Sequence, residues 1–78
     1  MRYMAKKDKK DELKNIAKNT DDKHHKAIFD ALLENKILDS CNMGMLFEER
    51  KLSGNPDIGL ICTLVTGLEN AGLIEKMF

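Results

Sequence analysis

Two helical stripes and one glycine predict a small, mainly α domain that ends in a short strand. Ile58, Ile61, Leu64, Val65 and Leu68 recur at the three- and four-residue spacing that lines one face of a helix, as do Ile28, Phe29, Leu32 and Leu33 upstream. Gly72 stands where a helix ending near Asn70 needs a left-handed residue, and Leu73-Ile74 continues as apolar, extended chain. Seventy-eight residues make one small domain whose core has little margin, so a homodimer belongs to the expectation.

Taken in order, residues 1–5 are expected to be loose, with Met4 a second candidate start. Residues 6–18 favour helix. Their apolar stripe of Leu13, Ile16 and Ala17 is too narrow to hold a helix alone in water, so it must dock on the body or fray. Asp11 with Lys14, and Lys7 with Asp11, lie at ion-pair spacing. Asn19-Thr20-Asp21-Asp22 reads as a stop and a new start, with Thr20 capping the next helix and both aspartates against its positive end. That helix is expected to reach Ile37 or Leu38, burying Ile28, Phe29, Leu32, Leu33 and Ile37 and turning Asp30, Glu34 and Lys36 outward.

Asp39-Ser40-Cys41-Asn42 is a polar break, followed by a short helix from Met43 to about Lys51 with Met45, Leu46 and Phe47 inward. Ser53-Gly54-Asn55-Pro56 reads as a turn, and Pro56 suits a first helical position because its missing N–H would be unpaired there anyway. Beyond Gly72, residues 73–78 are long enough for one strand, which needs a partner. The organisation expected is a basic arm and helix over residues 1–20 and a body over residues 21–78.

A net charge of zero hides a division. Residues 1–26 hold nine basic and five acidic side chains, and residues 27–78 hold four and eight, leaving +4 against −4. A basic arm on an acidic body fits contact with nucleic acid or an acidic partner, and on charge alone it fits a solvated lead-in helix slightly better. No apolar run approaches the roughly 20 residues that span a membrane, and no signal-peptide core follows the lysines, so a cytoplasmic protein with no membrane association is expected. Cys41 and Cys62 lack metal-ligand spacing and read as small, buried or half-buried reduced thiols.

The order of elements over residues 24–78 resembles the winged helix-turn-helix family. The closest echo is Leu64-Val65-Thr66-Gly67-Leu68-Glu69-Asn70-Ala71-Gly72-Leu73-Ile74, similar to the family's leucine-rich end of the third helix, where Gly-Leu-Ile leads into the wing. Ala27-Ile28-Phe29-Asp30-Ala31-Leu32-Leu33 resembles the first helix, and Met45-Leu46 with Leu52 the second. The resemblance implies a winged-helix-like domain with an extra N-terminal helix, binding double-stranded DNA. Three features depart from the pattern. The sequence ends at Phe78, which leaves the wing truncated or borrowed, and the turn before the third helix is slightly long. The third helix also carries no basic residue, where the family's DNA readers place arginine, lysine or glutamine.

With Ile61, Leu64, Val65 and Leu68 inward, the opposite face carries Gly59, Thr63, Thr66 and Asn70, flanked by Gly67, Leu60 and Cys62. Threonine and asparagine can contact bases, but the electrostatic part of the affinity must come from Lys6, Lys7, Lys9 and Lys10 of the arm and from Arg50 and Lys51. The small-residue stripe Gly59-Thr63-Gly67 could instead seat a partner helix or a twofold mate, or pack against the protein's own N-terminal helix. His24-His25 point about 100° apart with no carboxylate or cysteine at ligand spacing, and read as an exposed pair. No phosphate loop, paired catalytic carboxylates or nucleophile motif is present, so neither an enzyme nor a cofactor is expected. Two functions remain: a small DNA-binding regulator, or a protein–protein interaction module that uses the neutral face of the third core helix.

Overall fold

A computed structural model describes residues 1–39, 43–52 and 58–77. Strand β1 (Arg2–Ala5) leads through a 3-10 turn (Lys7–Lys9) into α1 (Lys10–Lys18) and α2 (Lys23–Leu33). Strand β2 (Leu38–Asp39), α3 (Met43–Glu49), α4 (Ile58–Asn70) and β3 (Ile74–Met77) follow. The described chain is thus mainly helical, with a three-stranded antiparallel sheet in the order β2-β1-β3. No described helix is long and apolar enough to cross a membrane. Residues 40–42 and the turn expected at residues 53–56, with Pro56 as helix start, lie outside the described residues.

The first residues are not loose. Strand β1 is the centre of the sheet, pairing Tyr3 with Leu38 on one side and Ala5 with Ile74 on the other. Its alternation explains why: Tyr3 and Ala5 are buried, while Arg2 is exposed. The strand expected at the C-terminal end therefore finds its partner at the opposite end of the chain, a pairing no local signal encodes.

The core joins Leu13 and Ala17 of α1, Ala27, Ile28, Phe29 and Leu32 of α2, Met43 and Phe47 of α3, and Ile61, Val65 and Leu68 of α4 to Tyr3, Ala5, Leu38, Leu73 and Ile74. Helix α1 docks on the body, as its narrow stripe requires, but Ile16 stays at the surface, 37% exposed. Asp22, not Thr20, caps α2. One carboxylate oxygen accepts from the His24 and His25 amides at 2.9 and 3.0 Å, whereas the Thr20 hydroxyl donates back to the Ile16 carbonyl at 2.7 Å and closes α1.

Three helices end alike. Lys36 N–H reaches the Ala31 carbonyl, Leu52 that of Phe47 and Leu73 that of Leu68, each across a left-handed residue: Asn35 (φ 64°), Lys51 (φ 55°) and Gly72 (φ 76°). The expected extension of α2 to residue 37 or 38 is thereby overturned. Asn35 tolerates the left-handed conformation and stops the helix at Leu33, which puts Leu38 in the core and leaves Ile37 51% exposed. On α3 the buried pair is Met43 and Phe47, four residues apart, so Met45 faces outward at 61% exposure instead of inward.

Candidate functional site

From Ile61 onward, helix α4 divides as its sequence pattern requires. Ile61, Val65 and Leu68 are buried and Leu64 is half-buried, while Gly59, Cys62, Thr63, Thr66, Gly67 and Asn70 are exposed. Its first turn stands clear of the core, so Ile58 and Leu60 are exposed at 64% and 59%. Ile58 thus leaves the inward stripe to which its spacing assigned it. Cys62 is also exposed, a correction to the buried or half-buried thiol expected there, and Cys41 lies outside the described residues.

The stripe Gly59-Thr63-Gly67 does not pack on the protein's own N-terminal helix. A Cβ built on Gly67 would meet nothing within 4 Å. The Thr63 hydroxyl donates to the Gly59 carbonyl at 2.9 Å, one turn back on the same helix. An open depression on this face is lined by Cys62, Thr63, Thr66, Gly67 and Asn70. Half of α4 is therefore an uncharged surface left uncovered by the fold, with Glu69 half-buried at its margin.

The arm lysines are placed by β1. The Lys6 amide donates to the Leu73 carbonyl at 3.1 Å, extending the β1–β3 ladder just beyond α4. Its ammonium reaches the helix end, where a Cβ built on Gly72 would lie 4.0 Å from Lys6 Nζ. Lys6, Lys7 and Lys10 then surround one depression with Asp8, Asn35 and Glu75. The Lys10 ammonium donates to the Asn35 side-chain oxygen, tying the start of α1 to the end of α2. Lys9 turns away to pair with Glu12 at 3.4 Å.

The remaining cations sit elsewhere. Arg50 pairs with Glu34 at 3.0 Å, and Lys36 reaches the same carboxylate oxygen at 3.5 Å. Cations at the ends of α2 and α4 also complement the negative poles of those helices, worth about 0.3–1 kcal/mol each at such surfaces. Lys51 is exposed. Among the described residues, Lys6 thus links the lysine patch to the Asn70 end of α4. Gly59 lies 11 residues up the helix, about 16 Å along its axis at 1.5 Å per residue.

Three residues at the two ends of α2 depart from their sequence reading. His24 and His25 are half-buried, not exposed, and the His24 ring meets Phe47 edge-on at 4.8 Å between centroids, with an interplanar angle of 89°. No hydrogen-bond partner for the buried His24 Nε2 occurs among the described residues. The His25 amide hydrogen bond, with the positive field of the two histidines and the His24 amide, holds the Asp22 carboxyl below its ordinary value of 3.8. Asn35, which positions Lys10, carried one usable signal: asparagine directly after an apolar helical stripe is a left-handed cap candidate. Protein-family models, curated proteins and solved structures yield no match to this chain.

Proposed function

We propose that this chain is a small regulator that binds double-stranded DNA through a winged-helix-like domain, with α4 toward the groove and Lys6, Lys7 and Lys10 on phosphates. One observation carries the reading: the central strand β1 brings Lys6, which shares a depression with Lys7 and Lys10, to the C-terminal end of α4, whose exposed face bears Thr63, Thr66 and Asn70. Cations beside an uncharged helix divide the work as DNA recognition requires, since phosphate contacts supply affinity and register while base contacts supply selectivity. The order helix, short strand, short helix, helix and strand from α2 to β3 is consistent with the winged helix-turn-helix resemblance, with β1 lent from the N-terminal end as the wing's second strand. Arg50 is a weaker phosphate candidate, because Glu34 already holds it.

The test is duplex binding as a function of salt. Each phosphate neutralised contributes about −0.9 to the slope of log K against log salt. Replacing Lys6, Lys7 and Lys10 by alanine should flatten the slope by about 2–3 and weaken binding more than tenfold at moderate salt. Absence of binding to mixed-sequence duplex at low salt ends this reading.

A second reading has its own support. The outer face of α4 is uncharged, and Ile58 and Leu60 are exposed at its margins, which suits a protein partner or a second copy. Thr63→Arg separates the two: it tightens binding if the face meets phosphate and blocks assembly if it meets protein. Light scattering with and without duplex reads both outcomes.

A further inference from the structure

The duplex-DNA reading leaves open which bases α4 would read, and the chemistry of its exposed face narrows the choice. We infer that α4 is built to read A·T pairs in the major groove, with Asn70 taking adenine and the methyl groups of Thr63 and Thr66 meeting thymine methyls. This inference rests on the DNA reading above.

Guanine is recognised chiefly by arginine or lysine donating to its O6 and N7, and α4 carries neither residue. The exposed side chain best suited to two-point base recognition is the Asn70 amide, whose donor and acceptor match adenine N7 and N6. The Thr63 hydroxyl gives its proton to the Gly59 carbonyl, so it has no donor left for a guanine or thymine oxygen. It offers an acceptor and a methyl group, and the methyl is the part that distinguishes thymine from cytosine.

Threonine and asparagine are short, so these contacts require the helix to come close to the base edges. The face permits that approach. Gly59 and Gly67 carry no side chain to hold the backbone off, and the space beside Gly67 is open. Lys6 beside Gly72, with Lys7 and Lys10 around the depression it shares with them, would fix the register of the Asn70 end against the phosphates.

The experiment is selection of sites from a randomised duplex pool by the full chain, followed by affinity measurements on the selected site. Selected sites should contain a run of A·T pairs. Replacing the thymines of that run by deoxyuridine, which removes only the C5 methyl, should weaken binding several-fold. Asn70→Ala should lose about tenfold discrimination at one adenine. Thr63→Val should keep the thymine preference and Thr63→Ser should lose it, with circular dichroism confirming that each variant is folded. A G·C-rich selected core, or tight binding without sequence preference that Asn70→Ala leaves unchanged, overturns this inference while the DNA reading stands. Failure to bind any duplex at low salt overturns both.

Discussion

Helices α2 and α4 make opposite use of their residues. Over 11 residues α2 carries two lysines, two histidines and an aspartate, yet it buries Ala27, Ile28, Phe29, Ala31 and Leu32. Over 13 residues α4 has Glu69 as its one ionisable acid or base apart from Cys62, yet it buries only Ile61, Val65 and Leu68. Helix α2 lies beneath α1, α3 and the sheet, and its polar groups are confined to the ends and one outer strip. Helix α4 touches the body along a single stripe and presents uncharged surface elsewhere. Apolar content does not measure burial here; the number of neighbours does. Surface that the core leaves uncovered, and that lacks the charges of an ordinary solvated face, is where a binding role is best sought.

Truncating one large apolar side chain on each helix is the sharpest test of this contrast. Phe29→Ala, at 1% exposure, should cost about 3–5 kcal/mol, a large part of the roughly 5–15 kcal/mol that stabilises a domain. Ile58→Ala, at 64% exposure, should stay within about 0.5 kcal/mol. Urea denaturation measures both, and similar losses would refute the assignment of α4's first turn to the surface. The next effect has the opposite sign. Gly67→Ala adds a methyl to open space on an interior helical position and should stabilise by about 0.5–1 kcal/mol, raising the melting temperature by several degrees. If DNA approaches that face closely, the same variant should bind duplex more weakly, which separates folding from function at one residue.

The smallest effect belongs to the start of α2. The folded pKa of Asp22 lies below its ordinary value of 3.8, so its stabilising contribution is complete above that value and fades as pH falls through the lower, folded value. Asp22→Asn keeps a competent cap and removes this ionisation. Its melting temperature should therefore fall less steeply than that of the parent chain between about pH 5 and pH 2. Parallel curves would mean that the carboxylate contributes no pH-dependent stability.

Much of the local structure was legible in advance because it is short-range. The buried stripes of Ile28, Phe29 and Leu32 and of Ile61, Val65 and Leu68 follow from helical spacing, and the Gly72 cap from its place after Asn70. The structure departs from the pattern where one side chain overrides a period. Asn35 ended α2 before Ile37, Asp22 displaced Thr20 as the cap, and Met45 turned outward because Met43 and Phe47 filled the gap four residues apart. The candidate site was half visible: the pattern identified the neutral face of α4 and the lysines, but not their relation.

That relation required the tertiary structure. By itself the sequence determined the helices, their inward faces and an uncharged outer face on α4, because a 3.6-residue period sorts side chains without reference to distant partners. It could not place residues 2–5, since a strand's hydrogen bonds lie with whatever chain comes alongside, and here that chain is some 70 residues away. The pairing of β1 with β3 turns an apparent loose arm into the centre of the sheet. It also sets Lys6 beside Gly72, just past the end of α4, a proximity that no local signal in either segment encodes.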